Sequence, residues 1–311
     1  MNGLWNKSNR GMLSAIPSKV GLIAGWGYYP VYLAEALKKQ GIGVYCLGIV
    51  GHADSKLQSL CDVWSPLKLG RLQTAFRFFR QHGLTHGTMA GKIHKSLLLE
   101  PLLIWKHLPD WYTLRTFAPM FLTRQKDCKD DTLLGTVVAA FAQKGFQLLP
   151  GTDLIPDLLV KRQQLTHRSP TTSEWKDICF GWKLAKEMGR LDIGQSVCVR
   201  GQSALAVEAI EGTDACICRA GSLCTEKSFT VVKVAKPQQD MRFDVPTFGL
   251  LTMQTMYESG AGVLAVEADK TIFLDRQSVV DFANRHNFCI VSMHSSDSIQ
   301  ETPPFSTCSG E

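Results

Sequence analysis

The stretch Val20-Gly21-Leu22-Ile23-Ala24-Gly25-Trp26-Gly27-Tyr28-Tyr29-Pro30 joins an apolar run to a glycine turn and a proline. A short apolar run ahead of a glycine turn is typical of a buried strand, and proline is favoured in the first turn of a helix. We therefore predict a strand that ends at the turn and a helix from Pro30 to about Gln40. Apolar runs at 44–49 and before Met89 flank a helical pattern at 71–82. This alternation predicts a parallel sheet covered by helices, as in Rossmann-like domains.

The second half of the chain has a different pattern. The runs 196–200 and 204–209 predict a hairpin around Gly201-Gln202. Beyond the hairpin, apolar runs and helical patterns alternate again, and we expect strands at 229–234, 262–266, 271–274 and 288–291. A hairpin combined with such alternation predicts a mixed α/β domain.

The domain boundaries follow from polar segments. A chain of 311 residues is long enough for two domains, because single cores usually stop growing at about 250 residues. The residues from Lys161 to Ser173 are polar, which is typical of an exposed linker. We therefore expect the following organisation: a flexible leader (1–18), an N-terminal Rossmann-like α/β domain (19–160), a linker (161–174), a C-terminal mixed α/β domain (175–292) and a disordered tail (293–311).

The charge is unevenly distributed along the chain. Residues 1–160 carry 18 Lys and Arg against 10 Asp and Glu, although the whole chain has a formal net charge of only +6. A basic half suits a phosphorylated ligand or contact with an anionic lipid surface, and an unevenly charged soluble surface explains it equally well. The basic residues form no dense run with aromatic residues, which argues against nucleic acid.

The sequence also predicts the compartment. No apolar run approaches the roughly 18–20 residues that a membrane span requires, and the polar start lacks the apolar core of a secretory signal. The ten cysteines have no paired spacing, and Cys216, Cys218 and Cys224 fall short of a zinc motif. We therefore expect a cytoplasmic protein without disulfides.

The turn Gly25-x-Gly27-x-x-Pro30 can present backbone N–H groups to an anion at the start of a helix. It departs from the dinucleotide-binding fingerprint because Pro30 replaces the third glycine and no acidic residue ends the second strand. The turn is thus a candidate phosphate-binding site through Gly25 and Gly27, or a plain tight turn. In Met89-Ala90-Gly91-Lys92, Lys92 follows a strand, so it is either a phosphate ligand at the edge of the sheet or an exposed lysine.

Acidic residues concentrate in three segments near predicted strand ends: 189–195, 208–214 and 233–244. Hydrolysis of a pyrophosphate requires groups that neutralise phosphoryl charge and position a water molecule, and carboxylates with Mg²⁺ and nearby Arg or Lys supply both. Glu211 and Asp214 have an alternative interpretation as turn or salt-bridge carboxylates, because Thr213 and Asp214 can also cap a helix.

Several motifs resemble those of the UDP-2,3-diacylglucosamine pyrophosphatases of lipid A biosynthesis, of the type that is not a metallophosphoesterase. The resemblance runs from about Val20 to Val291. It rests on the glycine turn, on Met89-Ala90-Gly91-Lys92, on Asp130-Asp131 and on Phe180-Gly181-Trp182. It is most specific in three segments: Gly189-Arg190-Leu191-Asp192-Ile193-Gly194-Gln195-Ser196-Val197, Ala206-Val207-Glu208-Ala209-Ile210-Glu211-Gly212-Thr213-Asp214-Ala215, and Val234-Ala235-Lys236-Pro237-Gln238-Gln239-Asp240-Met241-Arg242-Phe243-Asp244-Val245-Pro246.

The resemblance implies Mg²⁺-dependent cleavage of UDP-2,3-diacylglucosamine to UMP and 2,3-diacylglucosamine 1-phosphate (lipid X), with the lipid held between two domains and Mn²⁺ as an alternative metal. Through the Arg-Phe-Asp-Val-Pro motif, Asp244 corresponds to the family's key aspartate and is the expected catalytic residue. The remaining assignments are hypotheses: Asp214, Asp240 and Glu211 as metal ligands, and Gly25, Gly27, Lys92, Gln195, Thr213, Lys236 and Arg242 as substrate-binding residues.

Two other functions remain open at the level of sequence. One is a non-catalytic protein that binds a phosphorylated glycolipid, and the other is a nicotinamide-dependent oxidoreductase that uses the Gly25 turn. For the pyrophosphatase we further expect transient contact with the inner membrane surface, and a homodimer is expected only because homodimers are frequent.

Overall fold

The computed structural model describes residues 17–93, 108–122, 130–226, 228–237, 240–242, 245–300 and 302. The chain divides between Ile155 and Pro156 into two compact units, called here the N-terminal and the C-terminal unit. Each described unit has its own sheet and its own buried core.

The N-terminal unit alternates strands and helices along the chain. The strands are β1 (Lys19–Ala24), β2 (Gly43–Ile49), β3 (Val63–Leu67), β4 (His86–Ala90) and β5 (Gln147–Leu148). The helices are α1 (Tyr29–Lys39), α2 (Lys56–Leu60), α3 (Leu72–Gln81), α4 (Trp111–Leu122), α5 (Asp130–Gln143) and α6 (Gly151–Leu154).

Among the described residues of this unit, the strands form one parallel sheet in the order β3-β2-β1-β4-β5. From β1 the chain continues to β2, which lies on one side of β1, whereas β4 lies on the other side of β1. The carboxyl ends of β1 and β4 therefore meet at the topological switch point, where open α/β sheets bind ligands. The predicted Rossmann-like N-terminal domain is confirmed, and the stretch at 20–30 provides β1, the turn after it and the start of α1.

One aromatic ring fills the space over the centre of this sheet. Phe79 on α3 is completely buried, and it faces β1 and β4 where both strands carry a glycine. A Cβ atom would lie 2.3 Å from Cζ of Phe79 at Gly21 and 2.6 Å from it at Gly87. Only glycine at these two positions lets the helix approach the sheet this closely, since real Cβ contacts are not shorter than about 3 Å.

The C-terminal unit begins with a 3₁₀ turn (Pro156–Leu158). Its strands are β6 (Gln163–Gln164), β7 (Ser196–Arg200), β8 (Ser203–Val207), β9 (Phe229–Lys233), β10 (Thr247–Phe248), β11 (Ala261–Glu267), β12 (Ile272–Phe273) and β13 (Cys289–Met293). Its helices are α7 (Thr172–Arg190), α8 (Thr213–Leu223), α9 (Leu250–Ser259) and α10 (Arg276–Arg285), followed by a 3₁₀ turn (Asp297–Ile299).

In the described part of this unit, the main sheet has the order β6-β13-β11-β9-β7-β8. The central strands β9, β11 and β13 are parallel, and β6, β7 and β8 are antiparallel to their neighbours. The predicted mixed domain and the hairpin of β7 with β8 are confirmed. Strands β10 and β12 form a separate parallel pair.

Both faces of this sheet are covered, because successive strand residues point to opposite faces. Cys198, Val231 and Ile290 belong to the cluster formed with α8, α9 and α10. Their strand neighbours, such as Val197 and Val232, belong to the cluster formed with α7. Near-continuous apolar strands are therefore what a sheet between two helical layers requires.

The predicted linker at 161–174 is wrong. Gln163 and Gln164 form the edge strand β6, which pairs with β13. Thr171 caps α7, because its hydroxyl accepts from the Glu174 N–H (3.2 Å) while the Glu174 carboxylate accepts from the Thr171 N–H (2.8 Å). Polar side chains are normal on an edge strand and at a helix cap, so the polarity that suggested a linker has a different cause.

The predicted end of the N-terminal domain at residue 160 and part of the predicted tail also need correction. Val160 is held by the C-terminal unit, since its N–H donates to the carbonyl of Thr271 at 3.0 Å. Met293, expected to open a disordered tail, is completely buried in β13. Asp297 is also buried and accepts two hydrogen bonds from Arg162, at 2.8 and 3.0 Å. The C-terminal unit thus extends to about residue 300. Residues 1–16 of the predicted leader and residues 301 and 303–311 of the predicted tail lie outside the described residues.

Across the described ranges, no helix has both the length and the apolar character needed to cross a bilayer.

The packing of Phe79 over the glycines is testable by a double-mutant cycle. Gly21→Ala should lower the free energy of unfolding by about 1–3 kcal/mol, because the added Cβ displaces a buried ring. Adding Phe79→Leu should recover part of that loss, since the smaller side chain leaves room. Urea unfolding of both single variants and the double variant measures the coupling.

The matched control is Gly135→Ala in α5, where a Cβ meets nothing within 4 Å. This change should raise the free energy of unfolding by up to about 1 kcal/mol, because alanine favours a helix interior over glycine. Strictly additive effects of Gly21→Ala and Phe79→Leu would contradict the packing argument.

Candidate active site

Two turns meet at the switch point of the N-terminal unit. The Gly25 N–H donates to the carbonyl of Ala90 at 2.8 Å. Trp26 and Lys92 form an antiparallel bridge, in which each N–H donates to the other's carbonyl at 2.8 and 2.9 Å. The structure therefore joins the Gly25 turn to the Lys92 turn.

The glycines allow this close approach. A Cβ at Gly25 would lie 2.7 Å from the carbonyl oxygen of Lys92. Gly91 has a φ of +91°, and a Cβ there would lie 2.8 Å from the backbone of Gly25 and Trp26. Gly27 also has a positive φ, of +105°. The predicted residues Gly25, Gly27 and Lys92 therefore lie together, and their binding of phosphate stays a prediction.

In the C-terminal unit, the acidic segments converge at one edge of the sheet. Ser196 at the start of β7 pairs with Lys233 at the end of β9, and Val197 pairs with Val207 at the end of β8. Gly194 packs directly on the Glu208 backbone, where a Cβ would lie 2.0 Å from the carbonyl oxygen. All three segments that the sequence singled out thus begin or end at this edge.

A buried polar cluster lies where these segments meet. The Thr213 hydroxyl donates to Oε1 of Glu208 at 3.0 Å and accepts from Nζ of Lys233 at 3.2 Å. Lys233 also donates to the carbonyl of Thr247 at 2.9 Å. Because Thr213 has a single hydroxyl proton, the Ser196 hydroxyl at 3.3 Å is left to donate to it. Glu208 and Lys233 are 7% and 6% exposed, so both charges lie largely out of water.

Three oxygens at this edge are buried and lack a hydrogen-bond partner within the described structure. They are Oε1 of Gln195, Oε2 of Glu208 and Oδ1 of Asp214. A buried acceptor without a donor costs about 1–3 kcal/mol, which a bound cation or a ligand donor would offset. All three oxygens are acceptors, so they favour a positively charged or hydrogen-donating ligand.

The oxygen donors at this edge are of the type that Mg²⁺ prefers. Magnesium prefers oxygen ligands and usually takes one or two protein carboxylates, with water and substrate phosphate completing its coordination. Glu208 and Asp214 provide two carboxylates and Gln195 an amide oxygen. Within the described ranges, no three His, Cys, Asp or Glu side chains are grouped closely enough to hold a metal by themselves.

Helix α8 starts beside this cluster. Its N-cap is Gly212, with φ +86° and no side chain to cap the helix. Thr213 and Asp214 are the first residues of the helix and do not cap it. The amides of a first turn have no partners within the helix, and they lie at the end of the helix that attracts anions.

Other predicted metal ligands are engaged with arginines. Glu211 is paired with Arg219 at 2.5 Å and accepts from the Ala209 N–H at 3.1 Å. Its own backbone N–H, together with Arg219, holds the pKa of Glu211 below its ordinary value. Asp240 accepts from Nε and Nη2 of Arg242. The turn and salt-bridge interpretation of Glu211 therefore matches its contacts.

Two predicted site residues remain, Lys236 and Asp244. Lys236 donates to Asp192 at 2.7 Å, which joins the segment after β9 to the segment after α7. Asp192 itself has a positive φ of 59°. Asp244, the predicted catalytic residue, lies outside the described residues.

Sequence reasoning assigned no role to two members of the buried cluster, Glu208 and Lys233. Both are charged residues next to apolar runs, in Ala206-Val207-Glu208 and in Thr230-Val231-Val232-Lys233. A charge at the end of a buried strand has to be paired or bound to a ligand, and this signal could have identified both.

A separate cavity of about 330 Å³ lies in the N-terminal unit between α4 and α5. Residues such as Tyr112, Arg115 and Gln143 line it. It contains no candidate site residue, so the acidic edge of the C-terminal unit is the stronger candidate for chemistry.

Comparisons with known proteins agree with this organisation. Residues 19–158 match the family model described as the LpxI N-terminal domain, and residues 161–291 match that described as the LpxI C-terminal domain. A curated relative, the UDP-2,3-diacylglucosamine pyrophosphatase LpxI of Caulobacter vibrioides (strain ATCC 19089 / CIP 103742 / CB 15), is 29% identical over 276 residues. The alignment covers 86% of this chain and 94% of the relative. Both domains of one family are thus present in order along most of the chain, and the chain belongs to the LpxI family.

Proposed function

We propose that the protein hydrolyses the pyrophosphate bond of UDP-2,3-diacylglucosamine in lipid A biosynthesis, giving UMP and 2,3-diacylglucosamine 1-phosphate. The observation that carries this proposal is membership of the LpxI family across both units, with a relative named for that activity. The buried cluster of carboxylates and lysine supports it, because pyrophosphate hydrolysis needs both charge neutralisation and an oriented water molecule.

Mg²⁺ is the proposed cofactor, with Mn²⁺ as an alternative. Glu208 and Asp214 would hold it, assisted by the amide oxygen of Gln195, since these three residues carry buried oxygens that have no hydrogen-bond partner among the described residues. Asp240 and Glu211 would first have to leave Arg242 and Arg219. A bound magnesium would neutralise charge on the phosphoryl oxygens.

The chain's own cations have a related role. Lys233 is buried beside Thr213 and the first turn of α8, where an ammonium group and the amides of a helix N-terminus favour an anion. Lys236, Arg242 and Lys92 are further candidates for contact with phosphates. Lys236 and Arg242 currently bind Asp192 and Asp240, so phosphate would compete with these carboxylates.

Asp244 is the proposed general base. In the reaction, the oxygen of water bonds to one phosphorus, the bridging P–O bond breaks, and the proton of the water passes to a base. A carboxylate within hydrogen-bonding reach of the water can accept that proton. The Arg-Phe-Asp-Val-Pro motif, which matches the resemblance described above, supports this role for Asp244.

The central test is UMP release from UDP-2,3-diacylglucosamine by the purified protein. We expect release with Mg²⁺ and loss of release with EDTA. Asp244→Asn should lower kcat by at least about 100-fold, because the amide cannot take up a proton. Circular dichroism and urea unfolding would establish that the variant is folded.

Two outcomes would contradict the proposal. Absence of UMP release from folded wild-type protein with any divalent cation would favour a non-catalytic glycolipid-binding protein. Near-normal turnover by Asp244→Asn would remove Asp244 from the mechanism while leaving the reaction in place.

The metal assignment has its own test. Glu208→Gln and Asp214→Asn should each lower kcat/KM by about 10- to 100-fold and raise the Mg²⁺ concentration needed for half-maximal activity. Glu211→Gln is the matched control in the same acidic segment, because its carboxylate already has Arg219 as a partner. An equal metal requirement in all three variants and the wild type would place the cation elsewhere.

We also propose that the N-terminal unit contacts the surface of an anionic membrane. Leu108, which precedes α4, and Trp111 and Leu114 in its first residues are 44%, 78% and 49% exposed. Arg115 is exposed beside them, and Nε of Arg71 donates to the carbonyl of Leu108 at 2.9 Å. Exposed aromatic and aliphatic side chains next to cations suit the interface of an anionic bilayer.

Sedimentation with vesicles tests this contact. Binding to phosphatidylglycerol vesicles should exceed binding to phosphatidylcholine vesicles, and Trp111→Ser should weaken it several-fold. The control is Leu251→Ser, which removes an apolar side chain that is 69% exposed in the C-terminal unit. Equal binding by Trp111→Ser and the wild type would overturn the proposed surface.

A further inference from the structure

Glu267, the last residue of β11, is a buried carboxylate that holds the chain after β9. It is 3% exposed. Its Oε2 accepts from the N–H of Ala235 at 2.9 Å and from Nζ of Lys186 at 2.5 Å. A strand-end carboxylate therefore binds the backbone of a neighbouring segment instead of reaching solvent.

Lys186 on α7 completes this arrangement from the other side. Its Nζ donates to the carbonyl oxygen of Ala235 at 3.0 Å as well as to Glu267. Both backbone polar groups of Ala235 are thus bound by charged side chains. Ala235 lies just beyond β9, where the sheet no longer provides partners, and is itself buried.

This group consists of one carboxylate and two ammonium groups. Nζ of Lys270 lies 2.9 Å from Oε1 of Glu267, so each carboxylate oxygen has an ammonium partner. Burial lowers the pKa of Lys186 from its ordinary value, although Glu267 acts in the opposite direction. Because desolvation opposes a buried ion pair, such a pair adds little net stability and mainly fixes geometry.

The segment fixed in this way joins the candidate site at several points. Val234 donates its N–H to the carbonyl of Gln195 at 3.0 Å, and Lys236 binds Asp192. A Cβ at Gly189 would lie 3.1 Å from Cδ of Pro237, which shows how closely the end of α7 backs the segment. Ala235 lies two residues after Lys233 and directly before Lys236, so the clamped residue stands between two lysines of the candidate site.

We propose that Lys186 and Glu267 are positioning residues, which clamp the backbone at Ala235 and thereby set the position of Lys236 and the direction in which the chain leaves β9 for hydrolysis. This inference rests on the proposed pyrophosphatase function. Neither side chain is assigned a contact with substrate. Their effect is exerted through Lys236 and the segment that leads to Asp244.

The test compares Lys186→Met, Glu267→Gln and the variant with both changes. The double variant removes both charges, so it keeps the test valid where a single change leaves an uncompensated buried charge. Each variant is measured for kcat, KM, urea unfolding and hydrogen exchange of the backbone at 234–242. The matched control is Arg162→Met, which breaks an ion pair with the buried Asp297 elsewhere in the same unit.

We expect kcat to fall by about 10- to 100-fold in the clamp variants, because small displacements of reacting groups have effects of this size. KM should change much less, and exchange at 234–242 should accelerate. Arg162→Met should keep the wild-type kcat and the wild-type exchange at 234–242. Lys186→Arg, which retains the charge and the donors, should keep more activity than Lys186→Met.

Unchanged exchange at 234–242 in the folded double variant would overturn the clamp. A fall in kcat that only parallels the loss of stability, as judged against Arg162→Met, would also overturn it. Hydrogen exchange needs no substrate. Failure of the wild type to release UMP would therefore count against the proposed function, while the exchange result would still decide the clamp.

Discussion

Ser196 on β7 pairs with Lys233 on β9, and this antiparallel register determines which side chains meet at the edge of the C-terminal sheet. The pairing brings the segment after α7 next to the segment after β9. The contact of Gly194 with the Glu208 backbone then adds the segment after β8. A shift of register by one residue would turn Lys233 to the opposite face of the sheet, because side chains alternate along a strand. The candidate site therefore depends on a pairing made largely by the apolar residues of β7 and β9.

Burying Glu208 and Lys233 is costly unless both charges have partners. Thr213 links them, since its hydroxyl donates to Glu208 and accepts from Lys233. In the part of the chain that the structure describes, the second oxygen of Glu208 has no donor, and neither has Oδ1 of Asp214. Partial satisfaction of buried polar groups is expensive, and functional sites are where proteins retain it. Ion pairs that satisfy both partners, such as Arg219 with Glu211, have no comparable need for a ligand.

The sequence predicted the N-terminal sheet well because the alternation of apolar runs and helical patterns determines a parallel sheet. It also located the acidic segments at strand ends. It failed at Gln163 and Gln164, because a polar edge strand and a linker have the same composition. It overlooked Glu208 and Lys233, whose importance lies in burial, and burial depends on which strands pair. It left a salt bridge open as an alternative for Glu211 and did not foresee the pairing of Asp240 with Arg242, since nothing in linear spacing distinguishes a paired carboxylate from one that awaits a cation.

In both units, glycines allow the segments at the strand ends to come into close backbone contact. In the N-terminal unit, Gly25 and Gly91 let the turns after β1 and β4 come into backbone contact. In the C-terminal unit, Gly194 lets the chain lie against the carbonyl of Glu208. A side chain at any of these positions would place its Cβ 2.0 to 2.8 Å from the facing backbone and would force the strand-end segments apart. Strand ends are otherwise the most mobile parts of a sheet, because hydrogen bonding between strands stops there. Glycine contacts of this kind, together with the ionic clamp at Ala235, extend the rigidity of the sheet into the segments that carry the candidate catalytic groups.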